Sequence, residues 1–126
     1  MKRPFLAVVL AGIWITFSEF IRNELLFKSY WVDHYRALDL EFNTFLINGI
    51  FWLLWSFILA YIIFTFLKRF SFWRSLLTAW LAAFVMMWLA LYNLQVLPLK
   101  LLLFAVPLSL LEVIVAGLLI RVFGKN

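Results

Sequence analysis

Four long stretches of this sequence carry almost no charged side chain. The stretches are Pro4–Ser18, which continues past Glu19 to about Ile21, Thr44–Leu67, Ser75–Leu99, and Leu101–Ile120, which only Glu112 interrupts. An α-helix needs about 20 predominantly apolar residues to cross about 30 Å of hydrocarbon. The sequence therefore predicts four membrane-spanning helices, and the first is long enough only if Glu19 lies inside it.

The composition agrees with a chain that lies in lipid. Its 126 residues are 67% hydrophobic and 13% charged, whereas soluble domains are about 45–50% apolar and about 25% charged. A soluble fold of this length could not bury so much apolar surface. We therefore predict one all-α domain, an integral membrane four-helix transmembrane bundle. Its spans are about 4–21, 44–67, 75–96 and 100–121, with an outer loop at about 22–43.

Residues 23–38, with the sequence NELLFKSYWVDHYRAL, mix apolar and charged side chains at helical spacing. Glu24 and Lys28 stand four apart in the order that stabilises a helix. The segment is predicted either to lie in the membrane interface as a short outer helix or to extend the first span.

Lysine and arginine residues are distributed unequally between the two ends of the predicted spans. The basic residues at one end are Lys2, Arg3, Lys68, Arg69, Arg74, Arg121 and Lys125, and those at the other are Arg22, Lys28, Arg36 and Lys100. The positive-inside rule then places both termini in the cytoplasm. Because the net charge of +5 comes from residues at helix ends, the expected partner is the lipid bilayer and not a nucleic acid.

Each predicted span has one face with more small or polar residues than the others, since positions on a helix follow at about 100°. The faces are Gly12, Thr16, Glu19 and Asn23, with Arg22 at the edge; Thr44, Asn48, Trp52, Trp55 and Leu59, with Ser56 at the edge; Ser75, Ala79, Ala82, Met86, Ala90 and Asn93; and Ala105, Ser109, Glu112 and Ala116. We expect the four faces to converge. The alternative is that these residues serve helix packing alone.

Glu112 is the strongest candidate for a functional residue. A charge at the centre of a bilayer costs about 2.5–3.5 kcal/mol on insertion scales, and Pro107 removes one helical hydrogen bond about a turn away. A carboxyl group at this depth suits proton or cation coupling. We expect a polar cavity that opens to the outer side and has Glu112 as its floor. The alternative is a protonated Glu112 that only joins two helices by a hydrogen bond.

Glu19 and Arg22 stand three apart and are expected to pair on one helix face. In the functional interpretation, Glu19 holds Arg22 so that it binds an anion or a carboxylate, and Asn48, Asn93 and Ser109 complete the candidate binding residues. The alternatives are a local ion pair and ordinary hydrogen bonds between helices. The depths of Glu19 and Glu112 predict a separation of about 10 Å between the two carboxylates.

The sequence offers no sign of catalysis or of a cofactor. It has no cysteine, and His34, its one histidine, is a poor metal site alone. No phosphate-binding loop, GxSxG or HExxH motif is present. We therefore expect no enzyme, no catalytic residue, no metal and no cofactor.

The run ELLFKSYW, between a short first span and a second span that contains Asn48-Gly49, resembles uncharacterised four-helix proteins of the bacterial inner membrane. The resemblance implies a location in the bacterial inner membrane and no activity. Size and span number are also similar to the small multidrug-resistance exporters. This chain differs from them because Glu19 lies near the outer end of its helix beside Arg22, and because Glu112 lies in the fourth span.

Two functions remain open on this evidence. The first is binding or transport of a small solute or ion through a polar interior with Glu112 as its floor. The second is a non-catalytic accessory or assembly subunit of a larger membrane complex. A chain of this size buries little interior alone, so a homo-oligomer or a larger complex is expected.

Overall fold

The computed structural model describes residues 3–41 and 46–124. These residues form helices and connecting turns without any strand. Lys2, Asn43, Thr44 and Lys125, which enter the predictions above, lie outside the described residues.

Residues 3–41 and 46–124 form six α-helices with two π-helical segments. The elements are α1 (Pro4–Phe20), which continues as the first π segment (Ile21–Leu26); α2 (Lys28–Ala37); α3 (Leu46–Leu67); α4 (Phe72–Trp80), which continues through the second π segment (Leu81–Val85) into α5 (Met86–Asn93); a 3-10 turn (Leu99–Leu101); and α6 (Leu102–Phe123). Four helical stretches in the described part of the chain are long and apolar enough to cross a membrane, namely Pro4–Leu26, Ile47–Leu67, Phe72–Asn93 and Leu99–Phe123. They are compatible with a multi-pass membrane protein.

The structure divides residues 23–38 between an extension of the first helix and a separate short helix. The residues up to Leu26 extend the first helix, and Lys28–Ala37 form a separate short helix, α2. The extension is π-helical, with the amide of Phe27 donating to the carbonyl of Arg22 over 2.8 Å. A π-helical turn holds one residue more than an α-helical turn. The helix continues through this segment, so Glu19 at the end of α1 and Arg22 in the π segment belong to one continuous helix.

The long helices contact one another along their small residues. α1 packs against α3 and α6, and α4 packs against α3 and α6. α1 and α6 run antiparallel, because the indole Nε1 of Trp14 donates to the main-chain oxygen of Glu112 over 2.9 Å, and Gly124 lies beside Ala7. Small residues leave space for other close approaches: Gly12 of α1 lies against Phe57 of α3, and Gly117 of α6 lies against Leu76 of α4.

Large apolar side chains remain exposed on every long helix. Phe5 is 82% exposed, Leu103 78%, Met86 65% and Phe51 62%. Soluble monomers rarely expose large contiguous apolar surfaces. The surface of the four long helices therefore suits lipid as its surroundings.

The second π segment changes which residues of the third long helix face inward. Ser75 and Ala79, at its beginning, are buried as predicted. After the segment, Met86 is 65% exposed, whereas Phe84 and Trp88 are buried. One extra residue in a turn rotates every later residue by about 100° relative to an unbroken helix. The predicted face of this helix is therefore wrong beyond Ala79.

Candidate functional site

Three buried ionisable side chains meet where α1 and α6 are packed together. Arg22 Nη2 donates to Glu19 Oε1, and Arg22 Nη1 lies 3.9 Å from Glu112 Oε1. The exposed fraction of these residues is 4% for Glu19, 6% for Arg22 and 0% for Glu112. We call Glu19, Arg22 and Glu112 the ion cluster. Its two carboxylates contact the same guanidinium group, so the predicted separation of about 10 Å is wrong.

The local backbone explains why the cluster forms. Arg22 lies at the start of the first π segment, three residues after Glu19 in the same continuous helix, and this spacing brings two side chains together on one helix face. Side chains on a helix lean towards its N-terminal end. Glu112 therefore leans towards the Leu102 end of α6, where the first π segment lies. A distance between Glu19 and Glu112 predicted from helical depth alone leaves out two things: the length of the arginine side chain, and the tilt of the Glu112 side chain towards the N-terminal end of α6.

An aromatic ring completes the surroundings of the guanidinium. The Cζ atom of Arg22 lies 5.2 Å from the centroid of the Phe84 ring, within the range of a cation–π interaction. Phe84 makes further ring contacts with Trp55, at 5.4 Å between centroids, and with Trp88, at 5.8 Å. Phe84 belongs to the second π segment, so both π segments contribute a residue to the same contact.

The ion cluster has polar atoms that the surrounding protein does not satisfy. Within the described parts of the chain, Arg22 Nη1 and both carboxylate oxygens of Glu112 are buried without a hydrogen bond. The cluster also has two carboxyl groups and one guanidinium. Buried polar atoms are nearly always paired with protein or water, and an unpaired buried charge is costly. The cluster therefore has the capacity to take up a proton, a water molecule or a small ligand.

A cavity of about 360 Å³ leads to the cluster from the α2 end of the molecule. This outer cavity has a mostly aromatic wall, formed by Phe27, Trp31, Tyr35, Phe51, Trp52 and Trp88. Its polar lining residues are Glu19, Arg22, Asn23, Glu41 and Asn48. The volume is in the usual range for small-molecule sites, about 300–1,000 Å³.

Glu112 does not line the outer cavity, so the predicted floor is wrong. Arg22 lines that cavity and also a smaller one, of about 150 Å³, between α1 and α6. Glu112 lines only the smaller cavity of these two, beside Ser18 and Trp14. The floor of the outer cavity is thus formed by Glu19 and Arg22, and Glu112 lies behind the guanidinium group.

The other candidate binding residues have different positions. Asn48 is half-buried and lines the outer cavity. Ser109 is buried, accepts a hydrogen bond of 2.9 Å from Trp80 Nε1 and donates one of 3.0 Å to the carbonyl of Val106, which is a packing role. Asn93 is exposed and lines a surface groove beside His34. The extra residue in the second π segment rotates Asn93 away from the cluster.

The sequence pattern missed two residues of the site. Asn23 Nδ2 donates to Glu19 Oε2 over 2.8 Å. The sequence could have indicated this contact, because Asn23 stands four residues after Glu19 and lies on the polar face of the first span. Phe84 was missed because it lies within the second π segment, and an apolar ring among many gives no separate signal.

Scans against protein-family models, curated proteins and solved structures each gave no match.

Proposed function

We propose that this chain is a multi-pass membrane protein that binds or transports a small solute or ion, which enters through the outer cavity and reaches the ion cluster. The observation that carries the proposal is the set of unsatisfied buried atoms on Arg22 and Glu112, directly behind a cavity that opens at one end of the helices. Ionisable groups inside membrane spans commonly mark pathways for ions and substrates.

In this proposal the four long helices form a transmembrane bundle in a bacterial inner membrane, with both termini in the cytoplasm. The outer cavity then opens to the extracytoplasmic side, and α2 lies at that interface. Arg22 acts as the gate between the cavity and Glu112, because it contacts both carboxylates. A ligand that competes for the guanidinium releases one carboxylate, and Glu112 exchanges a proton or a small cation when this occurs.

The opening of the outer cavity to water can be measured with single cysteines, since the chain has none of its own. Asn48 is half-buried and lines the outer cavity, whereas Ile50, two residues later on α3, is 56% exposed and does not line it. In intact vesicles, a membrane-impermeant thiol reagent is expected to label Asn48→Cys from the outer side and to leave Ile50→Cys unlabelled. Labelling of Ile50→Cys alone, or of neither variant, would contradict the proposed entrance.

Glu112→Gln tests the role of the buried carboxyl group. Proton flux is measured in vesicles that contain the protein and a pH-sensitive dye, with a potassium diffusion potential as the driving force. We expect flux above that of protein-free vesicles, and about a tenfold reduction in Glu112→Gln, because glutamine keeps the shape but exchanges no proton. Glu24→Gln, which removes a half-exposed carboxyl group, is the matched control and should leave flux unchanged.

Equal flux through Glu112→Gln and the unaltered protein would reject the proposed role of Glu112. The second candidate function, an accessory subunit of a larger membrane complex, would then gain support. It is consistent with the lipid-compatible outer face of α3, where Ile47, Ile50 and Leu54 are each 56% exposed. Co-purification of one partner protein at fixed stoichiometry in mild detergent would favour that function. Purification of the chain as a homo-oligomer without another protein would not.

A further inference from the structure

The end of the molecule opposite α2 carries a set of cations that are held on aromatic rings. Lys68 Nζ lies 4.3 Å from the centroid of Phe64, and Arg121 Cζ lies 4.2 Å from the centroid of Phe72. A third pair joins Arg74 to Phe70, with 4.7 Å from Cζ to the centroid. Such contacts restrict long side chains that would otherwise be mobile. The cations are therefore already ordered before any ligand binds.

Two of these cations border a pocket between the end of α3, the start of α4 and the end of α6. The pocket has a volume of about 290 Å³. Its wall is apolar, with Phe64, Phe70, Phe72 and Ile120 among its lining residues, and Lys68 and Arg121 form its charged part. We call it the basic-end pocket. It offers one apolar surface and two cations at one place.

The charged side chains that the structure describes at this end are all basic. The acidic residues of the chain are Glu19 and Glu112, in the ion cluster, and Glu24, Asp33, Asp39 and Glu41, between the end of α1 and the start of α3. Within the described residues, none of them forms an ion pair with Lys68 or Arg121. The N-terminus of α4 is also here, and Ser71 makes no side-chain hydrogen bond to its first amides. Free amides at a helix start favour anions.

We propose that the basic-end pocket binds the head group of an anionic phospholipid. The phosphate pairs with Lys68 and Arg121, and the glycerol and the first acyl carbons lie against Phe64 and Phe72. Anionic lipids bind basic pockets between membrane helices on the cytoplasmic side. A lipid fits better than a free anion because the wall of the pocket is apolar. This inference goes beyond the proposed function and does not depend on transport.

The test uses the full chain in mild detergent, titrated with dioleoyl phosphatidylglycerol, with dioleoyl phosphatidylcholine or with inorganic phosphate, and bound lipid is counted by native mass spectrometry. We expect phosphatidylglycerol to bind more tightly than phosphatidylcholine. Lys68→Gln and Arg121→Gln are each expected to weaken phosphatidylglycerol binding about fivefold, and the double variant about 25-fold. Both side chains belong to exposed residues, so the substitutions leave the helix packing intact.

Arg69→Gln is the matched control, since Arg69 carries the same charge at the same end but does not line the pocket. It is expected to change phosphatidylglycerol binding less than twofold. Three results would overturn the inference: an equal loss in Arg69→Gln, equal binding of the two lipids, or inorganic phosphate that displaces phosphatidylglycerol at equal concentration. An equal loss in Arg69→Gln would show that general surface charge, not the pocket, attracts the lipid. Displacement by inorganic phosphate would show that the pocket binds free anions.

Discussion

Replacement of Arg22 by glutamine is expected to lower the free energy of unfolding by about 3–5 kcal/mol, the usual cost of removing one partner from a buried ion pair. The loss is large because Arg22 is the cation of the ion cluster and contacts both Glu19 and Glu112. Without it, two buried carboxyl groups lie close together with no compensating charge. The contact of the guanidinium with Phe84 is lost at the same time.

Reversible unfolding in mixtures of mild and denaturing detergent measures this effect. Lys28→Gln is the matched control, because Lys28 and Glu24 also form an ion pair on a helix, at 3.6 Å, but with side chains 47% and 41% exposed. Exposed pairs of this kind contribute about 0.3–0.5 kcal/mol. If the two variants lost similar amounts, the ion cluster would be solvated and the account of a buried cluster would fail. The triple variant with Glu19→Gln and Glu112→Gln should recover much of the loss.

Gly12→Ala is expected to lower the free energy of unfolding by about 1–2 kcal/mol. A Cβ atom added at Gly12 would lie 2.5 Å from Cδ1 and 2.9 Å from Cγ of Phe57, so the whole ring on α3 must move. Overpacking of this kind costs about 1–3 kcal/mol. The better helix propensity of alanine, worth up to about 1 kcal/mol, offsets part of it.

Gly49→Ala is the control for this second variant, because no atom lies within 4 Å of a Cβ atom added there. It should leave stability unchanged or raise it by up to about 1 kcal/mol. Gly117→Ala should fall between the two, since its added Cβ meets the flexible end of Leu76. Equal stabilities of the Gly12 and Gly49 variants would show that α1 and α3 are packed less closely than described.

The four long helices could be predicted from the sequence because their signal is a lack of charge over the length of a helix, which needs no knowledge of tertiary contacts. The face of α6 was also predicted, since Ala105, Ser109, Glu112 and Ala116 are all buried. An unbroken α-helix over this segment preserves the rotation of 100° per residue. Where the backbone is regular, the sequence pattern is sufficient.

The pair of Glu19 and Arg22 was predicted from its spacing and is present in the structure, but the rest of the site could not be predicted, because it depends on packing between helices and on irregular turns. Nothing in Ile21–Leu26 or Leu81–Val85 marks an extra residue per turn, since such turns are stabilised by packing and not by a characteristic residue. The first continues the helix of Glu19 and Arg22 as far as Leu26. The second turns Phe84 inward and Asn93 outward. The position of Glu112 behind Arg22 could not be predicted from helical depth either, because it depends on how far the arginine side chain extends from its helix.

The second π segment has a consequence for any future alignment of this chain. A homologue with a regular third helix would match it only with a one-residue gap inside Leu81–Val85. An ungapped alignment would compare exposed positions of one protein with buried positions of the other from Met86 to Asn93. Apparent substitution patterns there would then reflect a shift in numbering instead of selection on the site.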